Sequence, residues 1–482
     1  MRQREHGRRH LLSRLRRQAA GVSAQNPSAP LCKNQIIPLE ITGMTAEGNG
    51  VGHFCGMAVF VPQSAAGDRL DVRIVKVQKT YCYGIIEAVR EPSPDRIVPD
   101  CPVFRKCGGC VFRHISYSAE LRHKAQIVSD AFQRIGHLTP DETLPILGAE
   151  ALDGCRNKAQ YPCGSHPQSG ALCFGFYAPR SHRLIPVSDC RLQPPVFGAV
   201  LRRCEELLTH IPPYDEQTRH GALRHLYLRQ GYHSGELMVC FVAAKDIRRL
   251  LLPVGKKLMQ EFPEIKSVVM NRNGRQTNVI LGPQTFTLCG SGTIADTLCG
   301  VPVSLSPESF YQVNTAQAER LFAEAKQLGN PQKDELLLDL YCGAGAIGLS
   351  MADAAGQVLG VEVVPQAVRD AKETAERAGI QNADFFCGDA GEIAAQFAAE
   401  GKAPDLIVLD PPRKGCDTVT LDACLSMAPS RMVMISCNPA TAARDAAYLC
   451  ERGYRLKVLR AVDMFPRTGH VECVVLMSRE KK

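Results

Sequence analysis

The chain has 482 residues, 45% hydrophobic and 22% charged, a balance that excludes disordered, coiled-coil and collagenous classes and predicts several domains with ample core. The formal net charge of +8 is unevenly placed: residues 1–20 hold seven Arg against one Glu, 21–100 sum to −1, 101–300 to +8 and 301–482 to −5. An evenly basic protein is therefore excluded, and an anionic partner, if present, is expected to meet the middle of the chain.

Residues 1–20 lack the apolar run of a signal peptide, and no later stretch approaches the ~18 apolar residues of a membrane span. A cytoplasmic protein with no membrane partner and no obligate protein partner, a monomer, is expected. Cysteine is abundant, at 21; in such a compartment this argues against a disulfide framework and for metal, catalysis or packing of a small hydrophobe.

In chain order, residues 1–32 read as a basic arm and linker, either a solubilising tail or an RNA contact. Residues 33–92 carry short β-branched runs, IIPLEITGM, GMAVFVP, DRLDVRIVKV and YCYGIIEAV, separated by Gly-rich or polar turns. This spacing predicts a small barrel of the oligonucleotide-binding kind, in which Phe54, Phe60 and Tyr83 are candidates for stacking on bases or for the barrel core. Residues 93–300 read as α+β. Helices are expected over 118–135 and near 197–210 and 246–261, and strands at LRHLYLR, ELMVCFVAA, SVVMNRN and TNVILG. Arg156, Lys158, Arg180, Arg183, Arg224 and Arg229 lie in this basic region, and together they suggest a phosphate-binding surface. From residue 301, and clearly from Asp334, strands (LLLDL, VLGVE, ADFFCGD, DLIVLD, RMVMISC) alternate with helices. A doubly wound α/β domain is predicted, closing on an antiparallel hairpin because no helix fits between YRLKVLRAV and HVECVVLM.

Three sites in the last domain carry chemistry. The first strand runs into a glycine loop, Gly343-Ala-Gly345-Ala-Ile-Gly348, where the backbone can approach a ligand. Glu362 follows at the end of the second strand, placed to accept from a ribose hydroxyl. Taken alone, this pattern fits a nicotinamide dehydrogenase equally well. The fourth strand, however, ends in Asp410-Pro-Pro-Arg-Lys-Gly415 and the fifth in Ser436-Cys437-Asn438-Pro439. A cysteine delivered on a Pro-terminated turn at the ligand edge of the sheet reads as a nucleophile, for which a dehydrogenase has no use. Further upstream, Cys101, Cys107 and Cys110 (C-x5-C-G-G-C) put three thiols on a Gly-bearing loop that could converge on a metal.

These motifs, in the order CPVFRKCGGC, GCRNKAQ, FYQVN, DLYCGAGAIGL, DPPRKG, SCNP and FPRTGHVE behind a barrel, resemble those of the RNA 5-methyluridine methyltransferases, specifically the iron–sulfur branch that modifies 23S ribosomal RNA and carries an N-terminal TRAM domain. The resemblance covers residues 33–482. It implies a class I methyltransferase fold for residues 301–482, S-adenosyl-L-methionine as methyl donor, Cys437 as the nucleophile that adds to C6 of uracil, and Glu472 as the base that removes the C5 proton. The donor's contacts implied by position are Gln312, Tyr341, Glu362 and Asp410, with Asp389 at the third strand end as a further candidate. Cys190 is implied as a fourth thiolate, with Cys163 and Cys173 as rivals. Four thiolates suit a 4Fe–4S cluster or zinc, and the resemblance favours the cluster. At position 155 the family's usual tyrosine is replaced by cysteine, while Arg156, Asn157 and Lys158 are kept. Three rivals of function remain: a transfer-RNA methyltransferase of the same chemistry, a dehydrogenase, which Cys437 and the DPPR turn disfavour, and a non-catalytic iron–sulfur RNA-binding protein.

Overall fold

The computed structural model describes residues 31–480, so the Arg-rich arm lies outside the described residues. The chain falls into two compact units, one formed by the chain up to Thr45 with Asn49–Pro94, the other by Ala46–Gly48 with Asp95–Lys482.

The first unit is the expected barrel-like sheet. Its strands β1 (Ile36–Glu40), β2 (Gly43–Met44), β3 (Asn49–Phe54), β4 (Met57–Pro62), β5 (Arg69–Val77) and β6 (Tyr81–Glu91) run in the order β1-β5-β6-β4-β3-β2. Period-two alternation sets its interior: Leu70, Val72 and Ile74 of β5 point inward while Arg69 and Arg73 face out. Gly84 of β6 is required by packing, because a Cβ there would stand 2.2 Å from Val72 Cγ1. Phe54 packs against the core, whereas Phe60 and Tyr83 join Tyr81 in a half-buried cluster with ring centroids 5.6 to 5.7 Å apart.

The second unit holds α1 (Tyr117–Arg134), β7 (Glu142–Leu147) and a seven-stranded sheet. That sheet contains β8 (Lys158–Ser165), β9 (Leu172–Tyr177), β10 (Leu184–Pro186), β11 (Leu223–Gln230), β12 (Leu237–Ala243), β13 (Ile265–Arg272) and β14 (Gln284–Gly290), in the order β10-β9-β8-β11-β12-β13-β14. Helices α2 (Pro195–Leu207) and α3 (Arg248–Glu261) pack Phe197, Leu201, Leu251 and Leu258 onto Leu226, Phe241 and Met270. The expected strand at TNVILG is not formed. Asn273 donates through its side chain to the carbonyls of Val279 (2.7 Å) and Ile280 (2.9 Å), which holds these apolar residues in a turn. Arg224 and Arg229 do not belong to a phosphate-binding surface. Both are buried, Arg224 donating to the carbonyls of Asn273 and Arg275 and to Glu216 Oε1, and Arg229 to the carbonyls of Ser306 and Ser309, so their charges serve internal acceptors. Arg180 and Arg183 are exposed.

After the hairpin β15 (Ile294–Leu298) and β16 (Val301–Leu305) and helix α4 (Thr315–Gly329), the chain builds the α/β layer: β17 (Leu336–Leu340), α5 (Ala346–Met351), β18 (Gln357–Glu362), α6 (Pro365–Arg377), β19 (Ala383–Cys387), α7 (Ala390–Ala399), β20 (Leu406–Leu409), α8 (Thr418–Met427), β21 (Arg431–Ser436), α9 (Pro439–Cys450), β22 (Tyr454–Val462) and β23 (Glu472–Arg479). The sheet order is β19-β18-β17-β20-β21-β23-β22-β7. Strands β17 to β21 are parallel, and β23 inserts antiparallel between β21 and β22, giving the expected closing hairpin. The eighth strand differs from expectation. Strand β7, inside the segment read as central, pairs in parallel with β22. Helix α1 likewise buries Val128, Ala131 and Phe132 beside Ala442, Ala443 and Ala446 of α9, so residues 117–147 complete the catalytic layer. No helix among the described residues is long and apolar enough to cross a membrane.

Candidate active site

The carboxyl ends of β17 to β21 and the amino end of β23 surround a cavity of about 1360 Å³, lined by Gln312, Tyr341, Glu362, Asp389, Asp410, Cys437 and Glu472 together. Its volume exceeds the usual span of ~300–1,000 Å³ for a single small ligand, leaving room for a donor and an inserted base. Every catalytic and donor-contact residue expected from the sequence thus reaches one space.

The glycine loop opens with backbone in the left-handed region at Tyr341 (φ 67°), Gly343 (55°) and Gly345 (80°). Such a conformation at a non-glycine residue is costly and is held by its surroundings; here the Tyr341 hydroxyl lies 3.1 Å from Thr420 Oγ1. Glu362 fixes the loop from the neighbouring strand, accepting from Gly343 N (3.1 Å) and Val364 N (2.8 Å). Asp339 accepts from Gly348 N at 2.8 Å, while its other carboxylate oxygen is buried without a hydrogen-bond partner. Burial pushes Asp339 up to about 7, with Asp410 and Glu362 adding to the rise against the Gly348 N–H. Burial likewise raises Asp410 to about 7. Asp389 caps α7, accepting from Gly391 N (2.9 Å) and Glu392 N (3.3 Å) through one oxygen, a sufficient structural reason for an acid there.

Cys437 and Glu472 are brought together by strand register. Strands β21 and β23 pair antiparallel with Ser436 opposite Cys473, so the next positions outward, Cys437 and Glu472, oppose each other at the rim. The SCNP turn is bound to the DPPR turn, because Asn438 Nδ2 donates to the Arg413 carbonyl at 2.9 Å while Asn438 Oδ1 caps α9. Arg444 on α9 grips the carbonyls of Lys414 and Cys416, both at 3.1 Å. These bonds place the Arg413 guanidinium beside the Cys437 thiol and 3.4 Å from His470 Nδ1.

The electrostatics are set by burial. Glu472 is 8% exposed; burial and the neighbouring Asp410 raise it to about 8, against the pull of Arg413. Burial also raises the Cys437 thiol, Glu472 and Asp410 add to the rise, and Arg413 opposes it. Arg413 is therefore a cation that favours the charged forms of the Cys437 thiol and the Glu472 carboxyl alike, a role not read from the sequence. Burial, with Arg413, Arg156 and Lys124, holds His470 below its ordinary value.

Asn157 is a second residue whose role escaped the sequence. Its backbone N–H donates to the Val313 carbonyl (2.8 Å), and its side chain donates to the Gln312 carbonyl (2.7 Å) and Thr315 Oγ1 (2.8 Å). GCRNKAQ thus anchors the FYQVN segment that carries Gln312 into the cavity. Asn157→Ala should strand a buried carbonyl, costing about 1–3 kcal/mol. The expected result is a lower Tm in calorimetry and roughly tenfold weaker donor binding by titration.

Cys101, Cys107, Cys110 and Cys190 are all part-buried. The Cys107 thiol feels Cys101, Cys110 feels Cys107, and Cys190 feels both Cys110 and Cys107. Cys163 feels Cys173 and Glu205 instead. Among the described residues, no three or more His, Cys, Asp or Glu side chains are grouped as a metal-ion site. Local bonds engage the thiols: Cys107 Sγ accepts from Gly109 N at 3.4 Å, and Cys110 lies against the Arg113 guanidinium. Cys155, the departure from the family pattern, is buried.

Residues 303–480 match the family model for tRNA (Uracil-5-)-methyltransferase, and residues 30–86 match the TRAM domain. An uncharacterized RNA methyltransferase of Halalkalibacterium halodurans is 41% identical over 93% of this chain and 98% of its own length. One from Bacillus cereus is 39% identical over 94% and 98%. Among solved structures, the Pyrococcus abyssi tRNA (uracil-54, C5)-methyltransferase in complex with S-adenosyl-L-homocysteine superposes with a TM-score of 0.73 at 25% identity, over 91% of this chain and 99% of that one.

Proposed function

Because the chain belongs to the S-adenosylmethionine-dependent RNA (uracil-C5) methyltransferases, we propose that it methylates C5 of a uridine in 23S ribosomal RNA through a covalent bond between Cys437 and C6 of the base. The observation that carries this reading is the register of β21 and β23, which sets a cysteine and a buried acid opposite each other in a cavity roomy enough for both substrates.

Uracil C5 is too weak a nucleophile to attack a sulfonium methyl unaided. The Cys437 thiolate adds to C6, and the C4–C5 bond acquires enolate character. C5 then takes the methyl group that S-adenosylmethionine supplies. Glu472, as carboxylate, removes the C5 proton; the electrons of that C–H bond form C5=C6, and the C6–S bond breaks to return the thiolate. Arg413 favours the charged forms of both groups. Gln312, Tyr341, Glu362, Asp389 and Asp410 hold the donor. The target uridine is unstacked and swung into the cavity so that one face of C6 meets the thiol, and the barrel aromatics Phe60 and Tyr83 are candidates to stack on single-stranded bases. Methylation mapping on 23S ribosomal RNA from a strain lacking the gene tests the substrate: one or more C5-methyluridines should vanish there and return on complementation.

Transfer RNA is the second reading, favoured by the extensive likeness to a tRNA (uracil-54, C5)-methyltransferase. The same mapping decides, since loss confined to transfer RNA would replace the ribosomal substrate.

Cys101, Cys107, Cys110 and Cys190 are proposed to hold a 4Fe–4S cluster in preference to zinc. The all-sulfur donor set, C-x5-C-G-G-C with Cys190, supports four thiolate ligands. Four thiolates also suit tetrahedral zinc, and the likeness of CPVFRKCGGC to the iron–sulfur branch is what favours the cluster. Protein purified without oxygen should show broad absorbance near the visible blue and carry iron and sulfide, both lost in Cys110→Ser. Stoichiometric zinc without iron would overturn the cluster.

A further inference from the structure

The loop between β22 and β23, residues 463–471, delivers Glu472 into the cavity, and a buried ion cluster fixes it from the opposite side. Lys124 of α1 is fully buried; its Nζ donates to Glu120 Oε1 (2.8 Å), Asp463 Oδ1 (2.6 Å) and the Phe465 carbonyl (3.1 Å). The Tyr117 hydroxyl donates to the other Asp463 oxygen at 2.8 Å. Arg467 donates from its backbone N–H to Glu120 Oε1 (2.7 Å) and from its guanidinium to the Ile115 carbonyl (3.1 Å). Two cations thus face two carboxylates. The Arg467 backbone is left-handed, with φ 68°, a conformation that a non-glycine residue keeps only where its neighbours enforce it.

The enforcement comes from the cysteine-bearing segment. The backbone N–H groups of Val111 (2.8 Å) and Phe112 (3.2 Å), which directly follow Cys110, both donate to the Arg467 carbonyl. From there the chain passes through Thr468, whose hydroxyl donates to the Phe465 carbonyl at 2.8 Å, and Gly469 to Glu472. Apart from Phe465 and Glu472 itself these residues do not line the cavity, so Lys124 and Arg467 do not touch the reacting atoms. We infer that Lys124 and Arg467 are positioning residues for the base, and that α1 and the segment after Cys110 clamp the 463–471 loop so that Glu472 meets the C5 proton. The inference rests on Glu472 as base.

A clamp of this kind has a signature that ordinary destabilisation lacks. Addition of Cys437 to C6 does not use Glu472, whereas elimination does. A misplaced base should therefore leave adduct formation intact and slow its resolution. Lys124→Met strands two buried carboxylates and threatens the fold, so Arg467→Asn is the companion. Asparagine tolerates the left-handed backbone and keeps the main-chain bonds, losing only the guanidinium's hold.

The full-length variants would be incubated with RNA substrate and S-adenosylmethionine, and covalent enzyme–RNA complex and turnover measured per folded protein. Both variants are expected to form adduct within about twofold of the wild-type rate and to turn over roughly 10- to 100-fold more slowly, with complex accumulating as it does in Glu472→Gln. If adduct and turnover fall together, or neither changes in Arg467→Asn, the clamp is overturned while Glu472 stands. If Glu472→Gln itself accumulates no complex, the base assignment fails and the clamp with it.

Discussion

Cys437→Ala is expected to abolish methyl transfer, by at least about 10⁴-fold, and to eliminate the covalent complex with RNA carrying 5-fluorouracil at the target. In that analogue the fluorine occupies the position of the departing proton, so addition and methylation proceed and elimination cannot. The trapped complex then counts nucleophile directly. The residues that line the cavity offer few substitutes. Cys342 is the other cysteine among them; it is buried, and burial together with Asp339 and Glu362 pushes its thiol far above the ordinary range. A complex that survives in Cys437→Ala, seen as a shifted band on a denaturing gel, would move the nucleophile elsewhere. The non-catalytic alternative makes the contrary prediction that Cys437→Ala leaves every function intact. The rate of complex formation in the wild type should rise with pH, because burial, Glu472 and Asp410 favour the neutral thiol and only its ionised form attacks.

How much of this was legible in the sequence follows from the range of each interaction. The strand–helix alternation after Asp334, the glycine loop and the Pro-terminated turns are local patterns, so the α/β layer and the place of Cys437 could be read directly. Glu472 was visible as an acid among Val471, Cys473, Val474 and Val475, but its partner at the rim depends on β23 inserting beside β21, which no window of neighbours encodes. Strand β7 was missed for the same reason. ETLPIL has no alternation that names its sheet, and its partner β22 is more than 300 residues away. Arg224 and Arg229 misled because an arginine in a strand looks alike whether it meets phosphate or the accepting carbonyls of a distant turn. The clamp was likewise hidden: Lys124 and Asp463 gain meaning only through an ion pair that spans 339 positions. Four basic side chains in residues 101–300, Arg113, Lys124, Arg224 and Arg229, are buried, against two acidic ones, Glu120 and Asp296. The excess available to RNA is smaller than +8 implies.

Glu472→Gln is expected to do what the cysteine variant cannot, namely let the reaction begin and stop it before release. Glutamine keeps the shape of the side chain but cannot accept the C5 proton, so the methylated adduct should accumulate, carrying label from the donor, while turnover falls about 10²–10⁴-fold. If the substitution merely weakens RNA binding, with no labelled complex, the base lies elsewhere. The pH behaviour provides an independent check. A carboxyl raised to about 8 is protonated at neutrality, so kcat/KM should climb through that range as the base ionises. The same shift acts on stability with the opposite sense. The unfolded chain ionises this acid near 4.5, while the folded chain keeps the proton until about 8. Between those values the folded state binds more protons, and its stability falls as pH rises. Glutamine removes that dependence. Glu472→Gln should therefore gain Tm relative to the wild type at pH 8, with a much smaller gain at pH 5, the full shift corresponding to a few kcal/mol at most (roughly 1.4 kcal/mol per unit). If Glu472 is the base proposed, the acid weakens the fold under the conditions in which it is needed, as expected of a group retained for chemistry over packing.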